Sequence, residues 1–230
     1  MNKVTKKEPY FSKDMFRFLQ ELQLNNNRAW FAAHKTDYER LIREPSLRFI
    51  ADIGPKLEKI SKYLSADPRP VGGSLFRIYR DTRFSKDKTP YKTHVAMHFP
   101  IRLLAGKGTP HAAGFYLHFE PGECFGGGGI WHPDPENLAK IRGAIVAHPK
   151  EWSTLRKKID IEGDALKRPP AGYDPSHPFI DDLKMKDFFA STALTDAQVT
   201  GSHLLDLYAD MCKEISPLVK FLNKAIGMPW

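Results

Sequence analysis

Between Arg77 and Lys92 stand six cations, Arg77, Arg80, Arg83, Lys86, Lys88 and Lys92, against two anions, Asp81 and Asp87. This net +4 is half the chain's formal +8, concentrated in sixteen positions. Tyr79, Phe84 and Tyr91 are interleaved with the charges, and Pro90 stiffens the end of the run. Guanidinium groups match carboxylate and phosphate oxygens two at a time, so this composition suits an anion. Arg77, Arg80, Arg83, Lys88 and Lys92 are the candidate charge donors and Tyr91 a candidate hydrogen-bond donor, with Asp81 and Asp87 as orienting partners. On a strand, Arg80 falls on the side of Phe76 and Ile78, towards the interior. A buried guanidinium must be paired, and Asp81, Asp87 or a helix carboxylate is available. Three readings stay open: an anionic small-molecule site, a nucleic-acid surface read partly by stacking aromatics, and a structural ion-pair loop in which Arg80, Asp81 and Arg83 pin a strand end. Phe76 and Phe84 are expected in the core.

A second group lies just downstream. His94 and His98 share one strand face, and His118 and Glu120 share another. Two histidines and a carboxylate can hold a metal. The plainer expectation is a polar sheet face whose histidines hydrogen-bond locally, because a slip of one residue in register changes which side chains meet. No metal or other cofactor is therefore assigned. The run Gly126 to Gly129 lacks the lysine and hydroxyl of a phosphate loop and is expected to permit close approach of a side chain or backbone, Trp131 or an arginine among them. Cys124 lies between His118 and His132, but no nucleophile signature surrounds it. No catalytic residue is assigned.

The elements that must position these groups follow from periodicity. Ser12 caps a helix with Met15, Phe18, Leu19 and Leu22 at helical spacing. After the turn Asn25-Asn26-Asn27, Asn27 caps a second helix carrying Trp30, Phe31, His34, Tyr38, Leu41 and Ile42. Pro45 interrupts it or opens the next, whose apolar series Phe49, Ile53, Leu57, Ile60 and Leu64 should kink or break at Gly54-Pro55. Pro68, Pro70 and Gly72-Gly73 mark the passage into a sheet. The period then becomes two, around Phe76, around Val95, Met97 and Phe99, and around Phe115, Leu117 and Phe119. These predict neighbouring antiparallel strands with Val95, Met97, Leu117 and Phe119 inward, and a loose hairpin over 102–114. Cys124 to Trp131 is a further strand or an extended loop. Asp134-Pro135-Glu136 starts a helix, Pro149 ends it and opens a short one, and 161–183 is a long ordered loop. A last helix carries Leu204, Tyr208, Met211, Ile215, Leu218 and Leu222, with a kink expected at Pro217.

The sum is an α+β fold: a central antiparallel sheet, with helices from both the N- and C-terminal parts covering one face. Residues 1–10 are expected to be a mobile tail and 11–230 one domain. Two widely spaced cysteines point to a reducing compartment, the cytoplasm. The N-terminus has no apolar stretch behind its charges, and no run approaches the roughly 20 apolar residues of a membrane span. The partners expected are an anionic small molecule or nucleic acid, and no membrane.

The motif Arg77-xx-Arg80-Asp81-x-Arg83-Phe84-Ser85-x-Asp87-Lys88-x-Pro90-Tyr91-Lys92-Thr93 resembles the signature of a bacterial family, domain of unknown function 2461. Asn27-Arg28-x-Trp30-Phe31 with His34-Lys35 and Tyr38, Gly127-Gly128-Gly129-x-Trp131, and Arg168-Pro169-Pro170-x-Gly172-Tyr173-Asp174 with His177-Pro178 are similar to it too. The resemblance spans nearly the whole chain. It implies a single family domain of about this length and no particular activity.

Overall fold

The computed structural model describes residues 8–102 and 112–230. The turn of the hairpin expected over 102–114 and most of the tail expected over 1–10 lie outside the described residues. Tyr10, within that tail, is buried edge-on against Phe49.

The N-terminal helices begin where the caps stand. The Ser12 hydroxyl accepts from the Asp14 amide (3.2 Å) ahead of α1, Lys13–Leu24. Asn27 Oδ1 accepts from the Trp30 amide (3.0 Å) ahead of α2, Arg28–Ala33. The second helix is not the continuous one that its apolar stripe suggests. It pauses at His34, resumes as α3, Lys35–Tyr38, and widens into a π turn over Glu39–Arg43 before α4, Glu44–Glu58. Pro45 explains the widening. It lacks an N–H and its ring crowds the carbonyl four residues back, so the preceding turn closes instead through Glu44 N–H to the Glu39 carbonyl, five residues apart. Pro55 sits inside α4 without ending it, and the helix runs three residues further.

Four strands follow: β1, Val95–Pro100; β2, Gly114–Glu120; β3, Glu123–Ile130; and β4, Phe188–Leu194. They form an antiparallel sheet in the order β1-β2-β3-β4. The register sets Val95 opposite Phe119 and Met97 opposite Leu117, all buried, so the inward side is as the alternation predicts. The segment around Phe76 does lie beside β1, but it is joined by a single bridge, Leu75 to Met97, flanked by two backbone bonds, Phe76 N–H to Ala96 (3.0 Å) and His98 N–H to Ser74 (2.9 Å). One bridge does not hold the side-chain alternation of a full strand. Ile78 is consequently buried, while Phe76 is 45% exposed, against the expectation that it belongs to the core.

Between β3 and β4 come α5, Pro135–Ala147; α6, Pro149–Lys158; and α7, Ile180–Lys184. The intervening loop is pinned by bridges Glu162–Phe189 and Ala165–Met185. After β4, a capping box built by Thr195 and Gln198 starts the short α8, Asp196–Val199. Then α9, Leu204–Ala225, runs through Pro217 to its end. It lies across the inner side of the sheet, where Tyr208 packs against Phe99 and, on the far side, against Phe49 of α4. The layers are thus sheet, α9, and the N-terminal helices. The opposite sheet face, with His94, His98, Tyr116, His118 and Phe125, carries no helix among the described residues. No helix among the described residues is long and apolar enough to cross a membrane.

Candidate functional site

The basic segment is a two-legged arm. Arg80 N–H bonds to the Pro90 carbonyl (2.9 Å) and Lys92 N–H to the Ile78 carbonyl (2.8 Å), closing a loop over residues 81–89. Tyr91 anchors the arm. It is buried, and its ring stacks on Phe31 of α2 at 4.1 Å. Burial raises its hydroxyl's pKa above the usual range. The structure therefore places Tyr91 in the core's edge, and the arm's free chemistry falls to the cations.

Most of those cations have internal partners. Arg83 makes a bidentate pair with Asp81 (Nε to Oδ1 3.0 Å, Nη2 to Oδ2 2.7 Å), which holds the Asp81 carboxyl below its ordinary range. Arg80 is half-buried and bonds Asp87 and the Thr89 hydroxyl, not Asp81. The Asp87 carboxyl is lowered to about 2, first by the Thr89 amide and then by Arg80. Lys88 Nζ donates to the Thr82 carbonyl (2.8 Å). Arg77 and Lys92 differ: neither makes an ion pair among the described residues. The Lys92 ammonium lies 5.0 Å from the centre of the Phe76 ring. Its pKa is lowered, chiefly by burial and then by the Arg77 charge. Phe84, expected inside, is 96% exposed at the loop tip, with the Arg83 guanidinium 5.8 Å from its ring. A loop tip spanned by ion pairs leaves no apolar layer for it to enter.

Next to the arm, the open sheet face gathers a polar cluster. Register places His94 beyond Val95, at the level of Glu120 on β2. His118 Nε2 is 3.3 Å from Glu120 Oε2, and His118 Nδ1 is 3.2 Å from the Tyr116 hydroxyl. The Thr93 hydroxyl donates to Glu120 Oε1 (2.9 Å). His94 Nδ1 is 4.0 Å from Glu120 Oε2, and its ring centre is 4.7 Å from that of His118. His118 is almost fully buried and stacks on Phe125 at 4.9 Å. Burial, then the neighbouring His118, lowers the pKa of His94, while Glu120 pulls it the other way. His98 does not join this group. It lies one strand-repeat away, opposite Tyr116, where burial lowers it to about 4.

The remaining sequence candidates resolve as architecture. Gly126 and Gly128 face α9: a Cβ at Gly126 would lie 2.9 Å from Met211 Cε, and one at Gly128 2.6 Å from the Phe115 ring. The close approach is thus made by helix and sheet side chains at Gly126 and Gly128 and by the β4 backbone at Gly127 and Gly129, not by Trp131 or an arginine. Cys124 is buried, its thiol donates to the Glu120 carbonyl (3.3 Å), and burial pushes its pKa up to about 11, far from a thiolate nucleophile. One pairing had no sequence signal. Asp187, fully buried, accepts from the His132 backbone N–H (2.6 Å) and lies 3.4 Å from His132 Nδ1, with His132 held at φ 48°. The two residues are far apart in sequence, and only the pairing of β3 with β4 brings them together. A groove of about 810 Å³, lined by Tyr10, Phe11, Arg40 and Arg48 among others, shares no residue with the arm or the cluster.

Neither the curated proteins nor the solved structures yield a match to this chain. A family model does, over residues 14–221, and this span takes in the arm, the polar cluster, the glycine run and nearly all of α9. The chain belongs to the family described as conserved hypothetical protein (DUF2461).

Proposed function

We propose that the protein binds an anionic, phosphorylated ligand at the basic end of the open sheet face, with or without subsequent chemistry. The supporting observation is the Arg77–Lys92 pair. These two neighbouring like charges have no ion-pair partner among the described residues, and Lys92 is desolvated enough to depress its own pKa. An anion between them relieves both penalties, and a guanidinium beside an ammonium suits phosphate oxygens. Arg80, Arg83 and Lys88, tied to the loop itself, keep the arm in shape.

A second reading, a nucleic-acid surface without catalysis, is favoured by exposed aromatics. Phe84, Tyr79 and Phe76 are 96%, 51% and 45% exposed, and they stand among the cations where bases can stack. The setting we infer is a bacterial cytoplasm, supported by two unpaired buried cysteines and by the family resemblance.

The test is a thermal-shift screen of wild type and variants against phosphorylated metabolites and short oligonucleotides, at two salt concentrations. A ligand at 100 times its Kd adds about 2.7 kcal/mol. That gain should vanish in Arg77→Ala and Lys92→Ala and persist in Arg83→Ala. Nucleic acid instead gives binding that weakens steeply with salt, with a log–log slope that falls by about one per lost cation. A flat response of wild type to every anion defeats both readings and leaves the arm as architecture.

A further inference from the structure

We propose that His94, His118 and Glu120 form a binding site for one divalent transition-metal ion of the zinc class, on the open face of the sheet. One ligand atom from each residue lies within 4.8 Å of the other two. A tetrahedral ion at roughly 2.0–2.2 Å from its ligands holds them about 3.4 Å apart. The His118 Nε2 to Glu120 Oε2 distance, 3.3 Å, already meets that spacing. The His94 Nδ1 to Glu120 Oε2 distance, 4.0 Å, needs only a small rotation of two partly exposed side chains.

The surroundings are those a metal site requires. In such sites the atom of each ligand that does not face the metal is held by a further partner, which fixes tautomer and orientation. Here the Tyr116 hydroxyl stands at His118 Nδ1 (3.2 Å), a partner able to accept the Nδ1 proton when Nε2 turns its lone pair to an ion. The Thr93 hydroxyl occupies Glu120 Oε1, leaving Oε2 turned to the two imidazoles. Phe125 stacks on the His118 ring and keeps its plane. Two histidines and one glutamate are a ligand set of catalytic zinc sites, which keep a further position open for water or substrate.

Charge also bears on the case. Lys92 and Arg80 lie near enough to His94 to oppose a positive charge. Arg80 is met by Asp87, so Lys92 is the principal opponent. An anion bridging Lys92 and the ion would offset that repulsion, and the open metal position faces the same side of the sheet. The metal site nonetheless rests on the triad's geometry, not on the anion reading, and the two can fail separately. The competing account is a plain hydrogen-bonded group in which Glu120 serves His118 and Thr93 and nothing else.

The experiment strips the full-length chain with a chelator, removes the chelator, and titrates with Zn²⁺ by calorimetry. A parallel titration with Co²⁺ is read by visible absorption. Wild type should take up one equivalent of Zn²⁺ and show the d–d bands of a four- or five-coordinate Co²⁺ site. Glu120→Gln keeps the size of Glu120 and one acceptor oxygen for the Thr93 hydroxyl but removes the anionic ligand, and His94→Ala removes an imidazole from a partly exposed position. Each should weaken Zn²⁺ binding more than about 100-fold, since partners outside the ligand shell alone change affinity 10–100-fold. His203→Ala, at an exposed histidine far along the chain, should bind as wild type. Circular dichroism of each metal-free variant checks that it remains folded. No uptake by wild type overturns the site, and so does wild-type affinity in either Glu120→Gln or His94→Ala. The response to inorganic phosphate, measured on the stripped protein, reports the anion reading alone, and Zn²⁺ uptake by Arg77→Ala reports the metal alone.

Discussion

Asn26 clamps the backbone of Tyr91 from both sides: its Nδ2 donates to the Tyr91 carbonyl (2.9 Å) and its Oδ1 accepts from the Tyr91 N–H (3.0 Å). The turn between α1 and α2 thereby holds the base of the basic arm, 65 positions later in the chain. Asn26→Ala should lower stability by about 1–3 kcal/mol, because it strands a partly buried donor and acceptor together. Urea unfolding monitors the loss. An unchanged midpoint would show the clamp to be incidental. The arm's amides should also exchange faster in the variant, which hydrogen exchange can read.

Two glycine-to-alanine changes should act with opposite signs. At Gly128 the new methyl meets the Phe115 ring at 2.6 Å and Ile215 at 3.1 Å, so overpacking should cost about 1–3 kcal/mol. At Gly143, in α5 and exposed, nothing lies within 4 Å, and alanine's helix propensity should add up to about 1 kcal/mol. Thermal unfolding of the pair checks both. A stable Gly128→Ala protein would contradict the packing of α9 on the glycine run.

His98 should make stability depend on pH. Burial lowers its pKa to about 4, so the folded chain refuses a proton that the unfolded chain accepts near pH 6.5. Its contribution is complete above about pH 6.5 and is lost as pH falls from there towards 4, on the order of 3 kcal/mol in all. Unfolding free energies of wild type and His98→Gln, compared across that window, should converge as the pH drops. Parallel curves would show His98 to be protonated freely in the folded state.

The Trp152 indole is fully buried in α6, and its Nε1 donates to Asp182 Oδ2 (2.8 Å), while Arg156 Nε holds Oδ1 (3.1 Å). Asp182→Ala should cost about 1–3 kcal/mol by leaving the indole N–H unpaired. Near-ultraviolet circular dichroism, sensitive to the packing of Trp152, should change with it. An unaltered spectrum and melting point would refute the coupling of α6 to α7.

Where local chemistry decides, the chain was readable in advance. Ser12, Asn27 and Asp134 cap the helices they precede, and strict alternation marked β1 and β2. β4 escaped because Ala190, Ser191, Thr192 and Ala193 are small and carry little contrast between faces; its pairing depends on Gly126 to Gly129 across the ladder. Phe76 and Phe84 misled for a related reason. Period two implies an inward face only where a full ladder enforces it, and neither residue lies in one. At the candidate site, the residue types were visible, but their pairings were not. Arg80 chose Asp87, seven positions on, over adjacent Asp81, and the choice was made by the loop's closure. His94, His118 and Glu120 meet because the β1–β2 register sets Val95 opposite Phe119, whereas His98 is carried away by the same ladder.

The bridges that flank the sheet govern how copies of this chain can meet. An unpaired strand edge is a template for another chain's backbone. On β1 that edge is occupied twice, by residues 74–76 and, further along, by Ser65 N–H on Pro100 and Arg102 N–H on Tyr63. On β4, Glu162 takes both backbone groups of Phe189, and past it the strand continues over Ala190–Leu194, with Ser191 to Ala193 exposed. Among the described residues, the backbone edge left for another strand is thereby the stretch Ala190–Leu194 at one rim of the sheet.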